Sequence, residues 1–102
     1  MTQYDIRQEI ISVPDTSTII CNETNPNSKR KVLYFRNTST NPDEIITLSF
    51  GSRNPAIANK GIVLKQNDQY IETTGDNFEV WQGAISAICT VAGPANLSVL
   101  VR

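Results

Sequence analysis

The chain is expected to fold as an all-β protein, an antiparallel, jelly-roll-like β-sandwich of about eight short strands, and three observations lead there. Short apolar runs with period-two alternation recur roughly every ten residues, while helical periodicity is nearly absent. Val, Ile, Thr, Tyr, Phe and Trp dominate those runs, as they do on pleated, half-buried surfaces. Between them stand turn clusters: Pro14-Asp15, Asn25-Pro26-Asn27, Asn41-Pro42-Asp43, Asn54-Pro55, Gly75-Asp76-Asn77 and Gly93-Pro94. Pro fixes φ and removes a donor, and Asn and Gly tolerate positive φ, so each cluster stops a strand and turns the chain. The 102 residues suit one domain spanning 1–102.

Taken in order, the first strand candidate is YDIRQEIISV (4–13). Tyr4, Ile6 and Ile10 share one parity and Ile11 and Val13 the other, which means either a bulge or a strand serving two faces. Residues 1–13 thus read as a plain edge strand with a bulge or as an arm packed on a neighbouring subunit. STIIC (17–21), KVLYFRN (31–37) and EIITLSF (44–50) follow as strands. In NPAIANK (54–60), Pro55 suits the first position of a short helical turn. GIVLKQNDQYIE (61–72) reads as a hairpin: Ile62 and Leu64 alternate on one strand, Tyr70 and Glu72 share a face of the next, and Asn67-Asp68 make the turn. Gly61 admits a close approach by the preceding loop. The remaining strands are FEVWQ (78–82), AISAICTV (84–91) and NLSVLVR (96–102). In the last of them Leu97, Val99 and Val101 share one face, leaving Leu100 on the other as a candidate contact.

Composition argues against most chemistry. The net charge of −1 supplies no field for nucleic acid or an acidic membrane, and Lys29-Arg30-Lys31 reads as a solvated loop. No run reaches the roughly 18 apolar residues of a membrane helix, and the N-terminal MTQYDIRQEI lacks the apolar stretch of a secretory signal, so a cytoplasmic site of synthesis is expected. Cys21 and Cys89 lie inside apolar runs and read as buried free thiols rather than a bridge. Without a histidine, Ser-His-Asp and Cys-His arrangements and the usual zinc sites do not arise. No phosphate-binding glycine pattern or calcium loop occurs; Asp43 and Glu44 read as a solvated turn, and Asp68 and Glu72 are too loosely related for paired catalytic carboxylates. A non-enzymatic protein is therefore expected, with no catalytic, cofactor-binding or metal-binding residue. The sequons at Asn22, Asn37 and Asn96 are what an Asn- and Thr-rich chain produces by accident.

Interface candidates come from the aromatic and terminal segments. In NFEVWQG (77–83), Phe78 and Val80 alternate on one face and Glu79 and Trp81 on the other. With Phe78 toward the core, Trp81 points outward, to solvent, a sugar or another subunit; a local bulge would instead place it in the core. Arg36 and Arg53 are candidates to rim such a patch. Trp81, Leu100, Tyr4 and Ile6 are the residues expected at interfaces.

The order of pieces from 31 to 102 resembles a type of small phage virion protein. KVLYFRNTS, ITLSFG, GIVLKQNDQYIE, VWQGAISAI and a final LSVLV strand carry the resemblance, on which Asn37, Gly51, Gly61, Tyr70, Trp81 and Gly83 fall. The family's hairpin turn often holds Pro-Gly where this chain has Gln66-Asn67-Asp68, and residues 1–30 are not covered. The resemblance implies a β-sandwich or jelly-roll accessory protein of a bacteriophage virion: a capsid decoration protein, the base of a head fibre, or a vertex or spike component. It implies the major capsid protein or other virion proteins as partners, a homo-oligomer (trimer or pentamer), and location in the virion after synthesis in the host cytoplasm. The alternative is a carbohydrate- or receptor-binding β-module, suggested by Trp81 and the polar loops.

Overall fold

The fold is taken from a computed structural model, which describes residues 7–24, 29–51, 55–75, 77–91 and 95–102. These contain eight strands and no helix: β1 (Arg7–Val13), β2 (Thr18–Cys21), β3 (Val32–Asn37), β4 (Ile46–Phe50), β5 (Ile62–Leu64), β6 (Gln69–Thr73), β7 (Ile85–Cys89) and β8 (Ala95–Val101). They form two four-stranded antiparallel sheets, ordered β1-β8-β3-β6 and β2-β7-β4-β5, packed as a sandwich. The expected all-β antiparallel sandwich of about eight short strands stands.

Alternation builds the core. In β3, Leu33, Phe35 and Asn37 are fully buried while Val32, Tyr34 and Arg36 face outward. Leu97 and Val99 of β8 and Val13 of β1 join them from the first sheet; Ile46, Leu48, Leu64, Ile85, Ala87 and Cys89 meet them from the second. Cys21 and Cys89 are both buried and free. Cys21 lies opposite Ile85, four residues along β7 from Cys89, so about 13 Å of strand separates the thiols and no bridge spans that.

Three expectations are corrected. Residues 61–72 do not form a hairpin: β5 pairs with β4 and β6 pairs with β3, so the chain arches from one sheet to the other between Leu64 and Gln69. The turn chemistry holds all the same. Asn67 takes φ 67°, the Asp68 amide donates to Lys65 O at 2.9 Å, and the Lys65 amide donates to the Asp68 carboxylate at 3.0 Å. The parity change in the first strand is no bulge within Arg7–Val13, where pairing to β8 runs without a shift from Arg7 opposite Val101 to Val13 opposite Ala95. The strand serves two faces: Ile11 and Val13 pack inward and Ile10 points out. Residues 55–60 hold no helical turn; Ile57 and Lys60 close a tight turn with Asn59 at φ 63°.

That 55–60 segment covers the outer side of the second sheet. The Ala56 amide donates to Ser17 Oγ at 2.8 Å and the Asn59 amide to Thr47 Oγ1 at 3.0 Å, and outward-facing Thr47 is wholly buried as a result. Gly61 ends the segment at φ 140°, and a Cβ there would stand 2.6 Å from Leu48 O, so only glycine fits this approach. The outer side of the first sheet has no such cover among the described residues. One cross-strand row there reads Gln8, Leu100, Tyr34, Ile71, and the next reads Ile10, Ser98, Arg36, Gln69.

Candidate functional site

FEVWQ (78–82) is not a strand, and that decides where the aromatics sit. Gly75 and Phe78 form an isolated bridge after β6, and the chain returns past the sheet edge without a ladder. Freed from strict alternation, Val80 is buried while both Phe78 and Trp81 are exposed, so the expected pairing of Phe78 with Val80 on one face does not hold.

Trp81 stacks on Phe50, with ring centroids 6.0 Å apart, and Phe50 meets Tyr70 edge-on at 5.7 Å. The indole Nε1 donates to Ala84 O at 3.1 Å, and the ring lies directly over Gly83, where a Cβ would come within 2.5 Å of it. The glycine of the VWQGAISAI segment is therefore the floor on which the indole rests. Trp81 keeps 39% of its surface exposed, in agreement with the outward alternative.

Behind the aromatics stands a polar clasp that Lys29-Arg30-Lys31 did not announce. Lys29 and Lys31 are exposed, but Arg30 is buried, which corrects the solvated-loop expectation for the middle residue. Its guanidinium donates to Trp81 O at 3.1 Å, to Gly83 O at 2.9 Å and to Asn22 O. Gln82 completes the clasp: its Oε1 accepts from the Arg30 amide at 2.7 Å, and its Nε2 donates to Arg30 O and Val80 O, each at 2.8 Å. A planar five-donor fork suits several carbonyls at once, which explains arginine rather than lysine here. Lys29 and Glu79 also pair at 3.3 Å, but both side chains are more than half exposed and water screens the attraction.

On β6, Tyr70 and Glu72 share the inward face at the sheet edge, as the alternation predicts. The phenol donates to the Glu72 carboxylate, which also accepts the Trp81 amide at 3.1 Å. Burial, then the hydrogen bond to Glu72 and its negative charge, push the Tyr70 phenol up from 10.0 to about 12. The folded state thus holds its proton more tightly than the unfolded chain, so this contribution to stability is intact below pH 10 and is lost as pH rises toward 12. Glu72→Gln should move the phenolate absorbance transition of Tyr70 downward yet leave it above the ordinary tyrosine value, because burial remains; an unchanged transition would show that Glu72 has no part in it.

The interface candidates fall on separate surfaces. Leu100 is half-buried in the outer row of the first sheet, and Trp81 lies at the edge by Phe50. Tyr4, Ile6 and Arg53 lie outside the described residues. Arg36 stands in the outer row beside Gln69, and with Asp68 and Tyr70 it lines an open cleft by the 65–68 arch. Sequence reasoning passed over Ile10 and Ile71 as contacts; the outward parity of Ile10 was the signal that could have found them.

Among the described residues no three His, Cys, Asp or Glu side chains gather where a metal ion would bind, and no buried side-chain polar atom lacks a hydrogen-bond partner. No helix among them is long and apolar enough to cross a membrane. The described residues form an eight-stranded antiparallel β-sandwich, and none of them covers the outer face of the first sheet. Comparison with models of protein families, with curated proteins and with solved structures found no match.

Proposed function

We propose that this chain is a non-enzymatic structural protein of a bacteriophage virion, one that decorates or completes the capsid through protein–protein contacts. Its partners on this reading are the major capsid protein or other virion proteins, together with further copies of itself. The strand order, with β8 between β1 and β3 in one sheet and β7 between β2 and β4 in the other, is one we read as jelly-roll, the architecture the resemblance implies.

The observation that carries the reading is the outer face of the first sheet, which no described residue covers. Its two central rows hold Ile10, Leu100, Tyr34 and Ile71 among uncharged polar residues, with Arg36 as their one charge. Depletion of charge around aromatic and aliphatic groups is the composition of an interface core. The opposite outer side, covered by residues 55–60, has no comparable opening near Thr47.

Particles purified from the source should contain this chain in a fixed ratio to the capsid protein, and their loss of it after Ile71→Asp should be at least tenfold. Particles lacking the chain would overturn the reading. The second reading, a carbohydrate- or receptor-binding module, rests on Trp81. It is the weaker of the two, because Phe50 covers one face of the indole and Ala84 O holds its N–H.

A further inference from the structure

The four strand edges of the sandwich are not alike. Proteins blunt free edges with bulges, short strands, charges or a covering segment, because an open edge recruits further strands. β2 has four residues and a register shift between Ile19 and Cys21. β5 has three residues. β6 is flanked by the returning chain, whose Trp81 amide bonds Glu72 and whose Phe78 bridges Gly75. β1 is the least protected of the four: seven residues without proline, lysine or bulge, with Arg7 and Glu9 as the charges in its sequence, pairing among the described residues with β8 alone.

From this contrast we infer that the edge of β1 is a pairing site for β1 of a second copy of this chain, joining two four-stranded sheets into one of eight strands about a two-fold axis between the two copies of Ile10. The inference goes beyond the virion reading and does not require it. It names a two-fold contact, where the family resemblance implies a trimer or pentamer.

Self-complementarity fixes the register. Directly opposed residues of neighbouring strands point to the same face, so a two-fold axis normal to the sheet lies midway between one residue and its own copy, never between copies of two successive residues. Ile10 is the midpoint of Arg7–Val13, so an axis there overlaps all seven residues of both strands. Gln8 then lies opposite Ser12, Glu9 opposite Ile11, and Ile10 opposite its own copy. Moving the axis to Glu9 opposes two carboxylates, which is unfavourable, and moving it to Ile11 leaves Arg7 and Gln8 without partners in β1. The Ile10 register also covers the most exposed large hydrophobic residue described, with 69% of its surface open in the single chain. Seven residue pairs form a small interface, so the dimer is a weak one in solution, strengthened wherever the chain is concentrated.

Cysteine cross-linking of the full chain tests this directly. Opposed residues have Cα atoms about 4.5–5.5 Å apart, within disulfide reach, and the native thiols are buried. Under mild oxidation Ile10→Cys should form covalent dimers at least tenfold faster than Ile71→Cys, which is 50% exposed on the opposite edge strand. In parallel, Ile10→Lys should raise the concentration at which dimers appear in sedimentation at least tenfold, with an unchanged circular dichroism spectrum and melting temperature. Equal cross-linking rates at the two positions, a chain that sediments as a trimer or pentamer without passing through a dimer, or dimers indifferent to Ile10→Lys would each overturn the inference.

Discussion

Asn37→Asp should lower the stability of this domain by about 3 kcal/mol or more at neutral pH, although it changes the side-chain volume very little. Asn37 is fully buried at the end of β3. Its Nδ2 donates to Glu44 O at 2.8 Å and Leu64 O at 2.9 Å, and its Oδ1 accepts from the Ser39 amide at 3.0 Å. Its backbone also holds the arch, accepting from Asn67 N at 2.8 Å and donating to Asp68 O at 3.0 Å. An aspartate would turn a carboxylate oxygen toward two carbonyls and leave both without a donor. Such a group binds its proton more tightly when folded than unfolded, so the loss should be full above its raised folded pKa, shrink as pH falls from there toward the ordinary aspartate value of about 4, and change no further below it. Denaturant unfolding at pH 7 and pH 4 checks both parts. A loss below about 1 kcal/mol, or one independent of pH, would mean that Asn37 is not the node its bonds describe.

Arg30→Met keeps most of the aliphatic stem and removes the fork that three backbone carbonyls, those of Asn22, Trp81 and Gly83, accept from. Each deprived acceptor costs about 1 kcal/mol or more, giving an expected loss of roughly 3 kcal/mol. The damage should also be visible in one place. Trp81 is the sole tryptophan, and releasing its carbonyl from Arg30 should loosen the indole from Phe50 and Gly83, shifting its emission to the red in the still-folded protein. Arg30→Lys should recover only part of the stability, because an ammonium cannot span carbonyls arranged around a planar fork. Full recovery with lysine would show that charge, and not geometry, is what the clasp requires.

Those two residues mark where sequence reasoning reached and where it stopped. Strand periodicity was legible because alternation is a local property: β3, β4, β7 and β8 each bury the parity that their apolar residues announce. The Asn-x-Ser that ends β3 stood out as a pattern, but its meaning is tertiary. Asn37 binds Leu64 across the sandwich, and the Ser39 hydroxyl accepts the Asn96 amide at 2.9 Å. Arg30 looked solvated because its neighbours in sequence are lysines, whereas its partners lie eight and more than fifty residues away. The arch at 65–68 fails for the same reason. Asn67 and Asp68 specify a turn, yet a turn of that kind serves equally well within a sheet or between two, and only the pairing of β5 with β4 and β6 with β3 separates the cases. In FEVWQ the alternation was present, but Glu72 supplies the Trp81 amide with a side-chain acceptor and Gln82 binds backbone groups of Arg30 and Val80, so no ladder forms.

The place of β8 has a consequence for how this domain comes into being. It lies between β1 and β3, opposite the whole of β1 from Arg7 to Val13 and most of β3. Until residues 95–101 have left the ribosome, the first sheet is split into separate pieces, with β1 lacking its only described strand neighbour. Among the described strands only β4 and β5 are paired neighbours in sequence, so local hairpins can do little to hold a nascent chain in order. Acquisition of structure is therefore delayed until translation has passed β8, and a ribosome that stalls earlier releases a fragment with an unfilled sheet, open to capture by chaperones or proteases.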